Sequence, residues 1–233
     1  MKRKFTLVTL ISLIVLGFVL PVNAQEEAEP ASPFSVGADV VSSYVWRGTK
    51  YSGPAIQPSI EYSISGFTIG TWGSFGFADE VAEADLYASY GFDFGLSLGL
   101  TDYYYQHGSA GEYKYFQYSG DTANHAFEIN VGYEIKGVSI SGNYILNDAS
   151  KGGAGSQGGD KYFELGYAFK NFNVFVGAGD GWHTSNGNFN LCNIGIGTSK
   201  EVKITDSYSL PVSGSVVLNP EKEQFNIVVG ISF

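Results

Sequence analysis

The sequence has almost no cysteine, few cationic residues and no long apolar run beyond its first segment. Cys192 is the only cysteine in 233 residues, which excludes an intrachain disulfide framework. Lysine and arginine number 13 against 23 acidic residues, and phosphate binding needs clustered cations, so nucleic acid is not expected as a partner. No 18 consecutive apolar residues follow Ala24, and we therefore expect no membrane-spanning helix in the mature chain.

The first 24 residues have the organisation of a cleavable signal peptide. Three cations occupy positions 2–4, an apolar run extends to Leu20, and Ala24 supplies a small residue at the cut site. An anchoring helix is the alternative, but the run is shorter than the roughly 20 apolar residues of a membrane span. We predict a signal peptide at 1–24, a short acidic lead-in at 25–33, and a single domain at 34–233. Loss of the three cations takes the formal net charge from −10 to −13.

From Phe34 onward, apolar residues recur at every second position, which is the period of a β-strand. About twelve such segments follow one another, from Phe34–Arg47 to Gln224–Phe233. Most have close to the roughly 9–11 residues that a tilted membrane strand requires. The predicted fold class is all-β, an up-and-down antiparallel transmembrane β-barrel of about 12 strands.

The connections between these segments alternate in length, as in outer-membrane barrels. Tight hairpins are predicted at Ser65-Gly66, around Asp93, at Lys136-Gly137 and at Lys170-Asn171. The other connections are longer and polar, and they include residues 106–124, 149–160 and 179–187. Two connections fit less well, because 77–81 is short for an outer loop and 199–207 is long for an inner turn. Both ends of the barrel domain are then expected in the periplasm.

Alternation alone does not decide which face of the strands points outward, because a soluble barrel would have its apolar face inside. Two features favour an apolar exterior. Charged residues make up 15% of the chain, below the roughly 25% of soluble domains, and the polar faces carry mainly Ser, Gly, Asn and Thr. Aromatic residues gather near strand ends, as in the girdles of membrane barrels. We expect a bacterial outer membrane location, with its lipid as the surrounding partner.

The last segment reads F-x-I-x-V-x-I-x-F and ends on Phe233. An apolar alternation with a terminal phenylalanine resembles the signal by which the barrel assembly machinery recognises its substrates. The sequence therefore predicts a second partner, the assembly machinery, bound through the C-terminal strand.

Several stretches resemble the TorF-like porin family. They are SSYVWRGTKYSGPAIQPSIEY at 42–62, GFTIGTWGS at 66–74, ITDSYSLPVS at 204–213, and Leu218-Asn219-Pro220. The WRG…GPAIQP block is the distinctive part, and the likeness extends over about 34–233. The resemblance implies an outer-membrane barrel with a pore function. It carries over no catalytic or ligand-binding residues.

Strand parity identifies the charged residues that should line the lumen. The predicted set comprises six carboxylates and one guanidinium: Asp39, Arg47, Glu61, Asp85, Glu128, Glu134 and Glu164. An acidic lumen favours cationic or neutral solutes. Asp39 and Glu61 are the expected partners of Arg47. A sealed interior is the competing interpretation, since eight strands leave a filled core and 16–18 leave an open channel.

The leading functional prediction is a channel for passive diffusion of small solutes, with a mildly cation-favouring lumen. The alternatives are a non-transporting barrel that displays loops for binding or structural roles, and a lipid-modifying enzyme. The enzyme alternative depends on two His-x-Ser pairs, His107-Gly108-Ser109 and His183-Thr184-Ser185, which fall in loops where no strand holds the base against the nucleophile.

No cofactor or metal is expected. His107, His125 and His183 are isolated from one another in sequence. Asp160 and Asp180 lie in glycine-rich loops that lack the repeated Asp spacing of a calcium loop. Because both His-x-Ser pairs fall in loops, we also predict that the protein is not an enzyme and has no catalytic residues.

Overall fold

A computed structural model describes residues 32–78, 81–106, 114–151 and 154–233. Its strands are β1 Phe34–Val41, β2 Tyr44–Trp46, β3 Thr49–Ser52, β4 Ala55–Ile64, β5 Phe67–Gly76, β6 Ala82–Gly91, β7 Leu96–Tyr105, β8 His125–Ile135, β9 Val138–Ile145, β10 Lys161–Ala168, β11 Asn173–Gly181, β12 Gly187–Lys203, β13 Ser209–Asn219 and β14 Gln224–Ser232. Twelve of them form a closed antiparallel barrel, in which β1 pairs with both β4 and β14. The predicted fold class is confirmed.

The predicted signal peptide at 1–24 and most of the lead-in lie outside the described residues. Among the residues that are described, no helix has the length and apolar character needed to cross a membrane.

Tight turns connect the strands at one end of the barrel, which we call the turn end. Ser65 and Gly66 have φ values of 50° and 85°, and Lys136 and Gly137 have 50° and 84°. Two consecutive positive φ values match the type I′ turn, whose twist suits a two-residue hairpin. The opposite end, the loop end, carries the longer connections. The long connection predicted at 199–207 is mostly paired strand, since β12 and β13 pair as far as Lys203 and Ser209.

Side chains of the barrel wall alternate between an apolar exterior and a polar interior. Glu128 is fully buried, whereas its neighbour Ile129 is 42% exposed. Ile60 and Ile227 are likewise 51% and 60% exposed, while Gln57 is buried inside. In water, an exterior of this kind would be unfavourable at about 25 cal/mol for each Å² of apolar surface. The fold is therefore a closed β-barrel with an apolar exterior and a polar interior, the arrangement typical of transmembrane barrels.

The first strand is shorter than predicted. The periodicity suggested a single strand over Phe34–Arg47, but β1 ends at Val41, opposite Ala55, where its partner β4 begins. Beyond that point the pairing with β4 ends, and Ser42 still donates its backbone N–H to the Val229 carbonyl of β14 at 2.8 Å before the chain leaves the wall. It forms instead a separate hairpin of β2 and β3, which is absent from the predicted topology.

Candidate functional site

The connection between β1 and β4 folds into the barrel. We call residues 42–54 the lumen hairpin; it contains the paired strands β2 and β3. Tyr44 and Trp46 belong to it and are 3% and 4% exposed, although neither is part of the wall. A twelve-stranded barrel is wider than the eight-stranded kind that its own side chains fill. That extra width accommodates the hairpin.

The tip of the lumen hairpin is a two-residue turn formed by Arg47 and Gly48. Their φ values are 47° and 83°, the combination of a type I′ turn. A Cβ atom on Gly48 would stand 1.9 Å from the carbonyl oxygen of Cys192 on β12. Glycine is therefore required for two reasons: it adopts the positive φ of this position, and the tip contacts the backbone of β12 too closely for a side chain.

Arg47 forms a buried ion pair with Glu128 on β8. Its Nη1 and Nη2 atoms donate to the two carboxylate oxygens at 2.6 and 2.8 Å. Glu128 also accepts hydrogen bonds from the Tyr103 hydroxyl at 2.8 Å and the Asn130 amide at 2.6 Å. A buried carboxylate with this many donors is well satisfied, and removal of one member of such a pair costs about 3–5 kcal/mol.

The same guanidinium lies between two aromatic rings. Its Cζ atom is 4.3 Å from the Trp46 ring centroid and 4.6 Å from that of Tyr162 on β10. Both distances are within the range of cation–π contacts, which strengthen when the cation is desolvated. Arg47 therefore binds the hairpin to β8 through charge and to β10 through a ring face.

Aromatic rings fill the lumen around the hairpin, toward the loop end. Trp46 meets Tyr103 of β7 and Trp182 of the loop after β11 at centroid distances of 5.5 and 5.7 Å, and Tyr44 meets Trp72 of β5 at 5.5 Å. All three contacts are edge-to-face, a preferred aromatic geometry. As described, this part of the lumen is closed by packed side chains.

A polar cavity of about 220 Å³ extends from the hairpin toward the turn end. Asp39, Glu164 and the amides of Asn143, Asn173 and Asn193 contribute to its lining. The Asn193 amide donates to Glu164 at 3.0 Å, and the Tyr162 hydroxyl donates to the same carboxylate. The cavity can hold water or a small polar solute, and its ionised lining groups are acidic apart from Arg47.

The seven residues predicted to line the lumen occupy different depths. Asp85 and Glu128 are fully enclosed, and Arg47, Asp39 and Glu164 line the cavity. Glu61 accepts a hydrogen bond from Tyr87 at 2.5 Å, and Glu134 is exposed at the turn end of β8. Whether they line a path for solutes stays a prediction.

The predicted partners of Arg47 are wrong. Asp39 and Glu61 were chosen because Arg47 was placed on the same strand as Asp39, beside β4. The guanidinium instead reaches Glu128, 81 residues away. The cause is the inward fold of the chain after Val41, which carries Arg47 off the wall.

Two features of the interior were missed from the sequence. The lumen hairpin was one, although its Arg-Gly pair between aromatic residues has the character of a turn. Glu83 was the other. It is two residues before Asp85 on β6 and is 1% exposed, so the parity that placed Asp85 inside would have placed Glu83 there also.

The structure describes only one of the two His-x-Ser pairs. His107 and Ser109 lie outside the described residues. Ser185 donates its hydroxyl to Glu221, and His183 Nε2 has no hydrogen-bond partner within the part of the chain that the structure describes. Burial, with the charge of Arg47 as a lesser cause, holds the pKa of the His183 imidazole well below its usual value. The absence of enzymatic activity remains a prediction.

The candidate loop aspartates have protein partners. Asp180 pairs with Lys161 at 2.8 Å, and Asp160 accepts hydrogen bonds from the Ser156 hydroxyl and the Trp182 backbone. In the described part of the chain, no three His, Cys, Asp or Glu side chains converge on a point where a metal ion could bind.

These features define a class: a twelve-stranded antiparallel β-barrel with an apolar exterior and a polar interior entered by a hairpin. The chain belongs to a family described as bacterial protein of unknown function (Gcw_chp), whose model matches residues 27–207. The resemblance to TorF-like porins is not confirmed. No curated protein matches the sequence.

Solved structures with similar folds include porins. A mutant of the porin from Rhodopseudomonas blastica is 16% identical, with a TM-score of 0.41, over 87% of this chain and 73% of the porin. A structure titled "Asymmetric conductivity of engineered proteins" is 17% identical, with a TM-score of 0.39, over 77% of this chain. The present chain covers 55% of that structure's length. Similarities this distant carry no argument about function.

Proposed function

We propose that this protein is a channel of the bacterial outer membrane that passes small neutral or cationic solutes, with the lumen hairpin as its closing element. One observation carries the proposal. A hairpin connected to the wall at its two ends obstructs the lumen, and the ion pair between Arg47 and Glu128 holds its tip together with the ring and backbone contacts described above. A segment of this kind can move without unfolding the barrel, whereas wall side chains cannot.

The charge of the interior supports the solute class. Asp39 and Glu164 line the cavity on the turn side of the hairpin, and Glu61 and Glu134 continue the acidic surface of β4 and β8. Carboxylates in a confined polar space raise the local concentration of cations. Anionic solutes are therefore expected to pass less well than neutral or cationic ones.

The same proposal includes the location and the assembly partner. The apolar exterior suits membrane lipid, and β14, which ends at Ser232, closes the barrel by pairing with β1. We propose that the barrel assembly machinery recognises this last strand during insertion.

Planar-bilayer recording of the refolded protein tests the channel. We expect rare, brief openings in the wild type and a higher open probability in Arg47→Gln, because the hairpin loses its ion pair. Lys50→Gln is the matched control, since it removes a cation from the exposed side of the same hairpin. In a KCl gradient the reversal potential should show cation preference, and Glu164→Gln should reduce it. Absence of conductance in the wild type and in Arg47→Gln would refute the channel.

A second candidate function is a closed barrel that displays its loops. The aromatic packing around Trp46 favours it, since Trp46, Tyr103 and Trp182 contact one another inside the lumen. In that case neither the wild type nor Arg47→Gln would conduct. A variant with shortened loops would lose the binding or structural role of the loops while its barrel remained folded.

A further inference from the structure

Two carboxyl groups on β6 lie inside the barrel without a counter-charge. Glu83 and Asp85 are each 1% exposed and share the inner face of the strand. In the strand register Glu83 stands between Ser74 and Tyr105, and Asp85 between Trp72 and Tyr103. Within the described ranges, no ion pair to either carboxylate is formed.

The lumen hairpin covers this pair. Tyr44 packs edge-on against Trp72, which stands opposite Asp85 in the strand register, with a centroid separation of 5.5 Å. The two carboxylates are thus enclosed between the wall and the hairpin. They are separated from bulk water, which would otherwise solvate their charge.

Among the described residues, three of the four carboxylate oxygens have no hydrogen-bond donor. Glu83 Oε2 and both oxygens of Asp85 are buried without a partner. Glu128, at a similar depth, is matched by Arg47 and two further donors. A buried acceptor left unsatisfied costs about 1–3 kcal/mol, and more when it is charged. Either a proton on the carboxyl groups or a bound cation would remove this cost.

Two neutral oxygens nearby are also unsatisfied, and they provide an independent indication. Gln57 on β4 is 2% exposed; its amide nitrogen donates to Ser74 at 3.2 Å, while its carbonyl oxygen has no partner. The hydroxyl of Tyr105, opposite Glu83, likewise has no hydrogen-bond partner in the described ranges, and its side chain is 8% exposed. Strands β4, β6 and β7 therefore each contribute a buried oxygen that lacks a hydrogen-bond partner among the described residues.

We propose that Glu83, Asp85, Gln57 and Tyr105 bind one divalent cation of the calcium class beneath the lumen hairpin. Oxygen ligands are those that hard cations prefer, and Ca²⁺ takes 6–8 of them in flexible geometry, with water completing the set. Two carboxylates balance the charge of a divalent ion. The proposed site has only two acidic ligands. It therefore agrees with the finding that no three His, Cys, Asp or Glu side chains of the described residues converge on one point.

Binding at this position would join the wall to the hairpin, because Tyr44 closes the site from the hairpin side. The cation would then stabilise the closed arrangement. Binding itself does not depend on the proposed channel function, and a barrel that never conducts would bind the cation equally well.

Terbium luminescence tests the site in the refolded full-length protein. Tb³⁺ is a luminescent analogue of Ca²⁺ that is excited by energy transfer from nearby indole and phenol rings, and Trp72 is opposite Asp85. We expect sensitised emission that Ca²⁺ displaces, and an affinity at least about tenfold weaker in Glu83→Gln/Asp85→Asn. Glu134→Gln is the control, because it removes an exposed carboxylate at the turn end.

Thermal unfolding with Ca²⁺ or with a chelator provides a second measurement. The amide variants are expected to fold, since they replace buried charges by neutral groups of the same shape. The midpoint of the wild type and of Glu134→Gln should rise with Ca²⁺, whereas that of Glu83→Gln/Asp85→Asn should not respond. Absence of a Ca²⁺ response in the wild type, or equal Tb³⁺ emission from the wild type and Glu83→Gln/Asp85→Asn, would overturn the proposal.

Discussion

Replacement of Arg47 by glutamine isolates the contribution of the buried ion pair to hairpin closure. The change leaves the Glu128 carboxylate enclosed, with donors only from Tyr103 and Asn130. Breaking a buried pair in this way costs about 3–5 kcal/mol, and each 1.4 kcal/mol is a factor of about ten in an equilibrium. Taking the lower figure, the population with the hairpin displaced should rise about a hundredfold.

Tryptophan fluorescence measures this displacement directly. The chain has three tryptophans, Trp46, Trp72 and Trp182, and each contacts the lumen hairpin or belongs to it. Quenching by iodide should therefore increase in Arg47→Gln and remain at the wild-type level in Lys50→Gln. The measurement is made on refolded protein in detergent, with circular dichroism to verify that the barrel is intact.

A double variant distinguishes the ion pair from a loss of packing. Arg47→Gln/Glu128→Gln removes both charges, so no uncompensated carboxylate remains buried. Quenching should then be lower than in Arg47→Gln alone. If Arg47→Gln is quenched no more than the wild type, or if the double variant is quenched as strongly as the single one, the ion pair does not hold the hairpin.

Three further predictions concern the hairpin tip, a buried imidazole and the lipid-facing surface. Gly48→Ala should displace the tip and increase tryptophan quenching, because its Cβ would meet the Cys192 carbonyl at 1.9 Å; Gly120→Ala, with a φ of 86° and open space around it, should not. His183 is neutral when buried, so a state that exposes it gains a proton below about pH 6.5. Hairpin closure should weaken as the pH falls through that value, and a quenching profile that stays flat down to pH 5 would contradict this. Ile60→Lys should destabilise the barrel in vesicles by about 2–4 kcal/mol, measured by urea unfolding, and an unchanged midpoint would argue against a lipid-facing position.

The local pattern of the sequence determined the barrel and the face that each strand residue presents. Alternation with period two is a property of neighbouring residues, and the pleat converts it directly into an inside and an outside. Glu128 and Ile129 illustrate this, since they are adjacent in sequence and lie on opposite sides of the wall. The turns at Ser65-Gly66 and Lys136-Gly137 were also local, because a two-residue hairpin depends on its own φ values.

Only the tertiary structure decided where the segment after Val41 goes. The period-two pattern continues from β1 through Trp46, and a strand in the wall and a strand inside the lumen show the same alternation. The choice depends on the interior width of a twelve-stranded barrel and on Glu128, which lies 81 residues beyond Arg47. Neither is a property of the segment itself. The sequence alone thus determined a barrel with an apolar exterior and an acidic interior, and the tertiary structure placed a hairpin inside it, held by the long-range pair of Arg47 and Glu128.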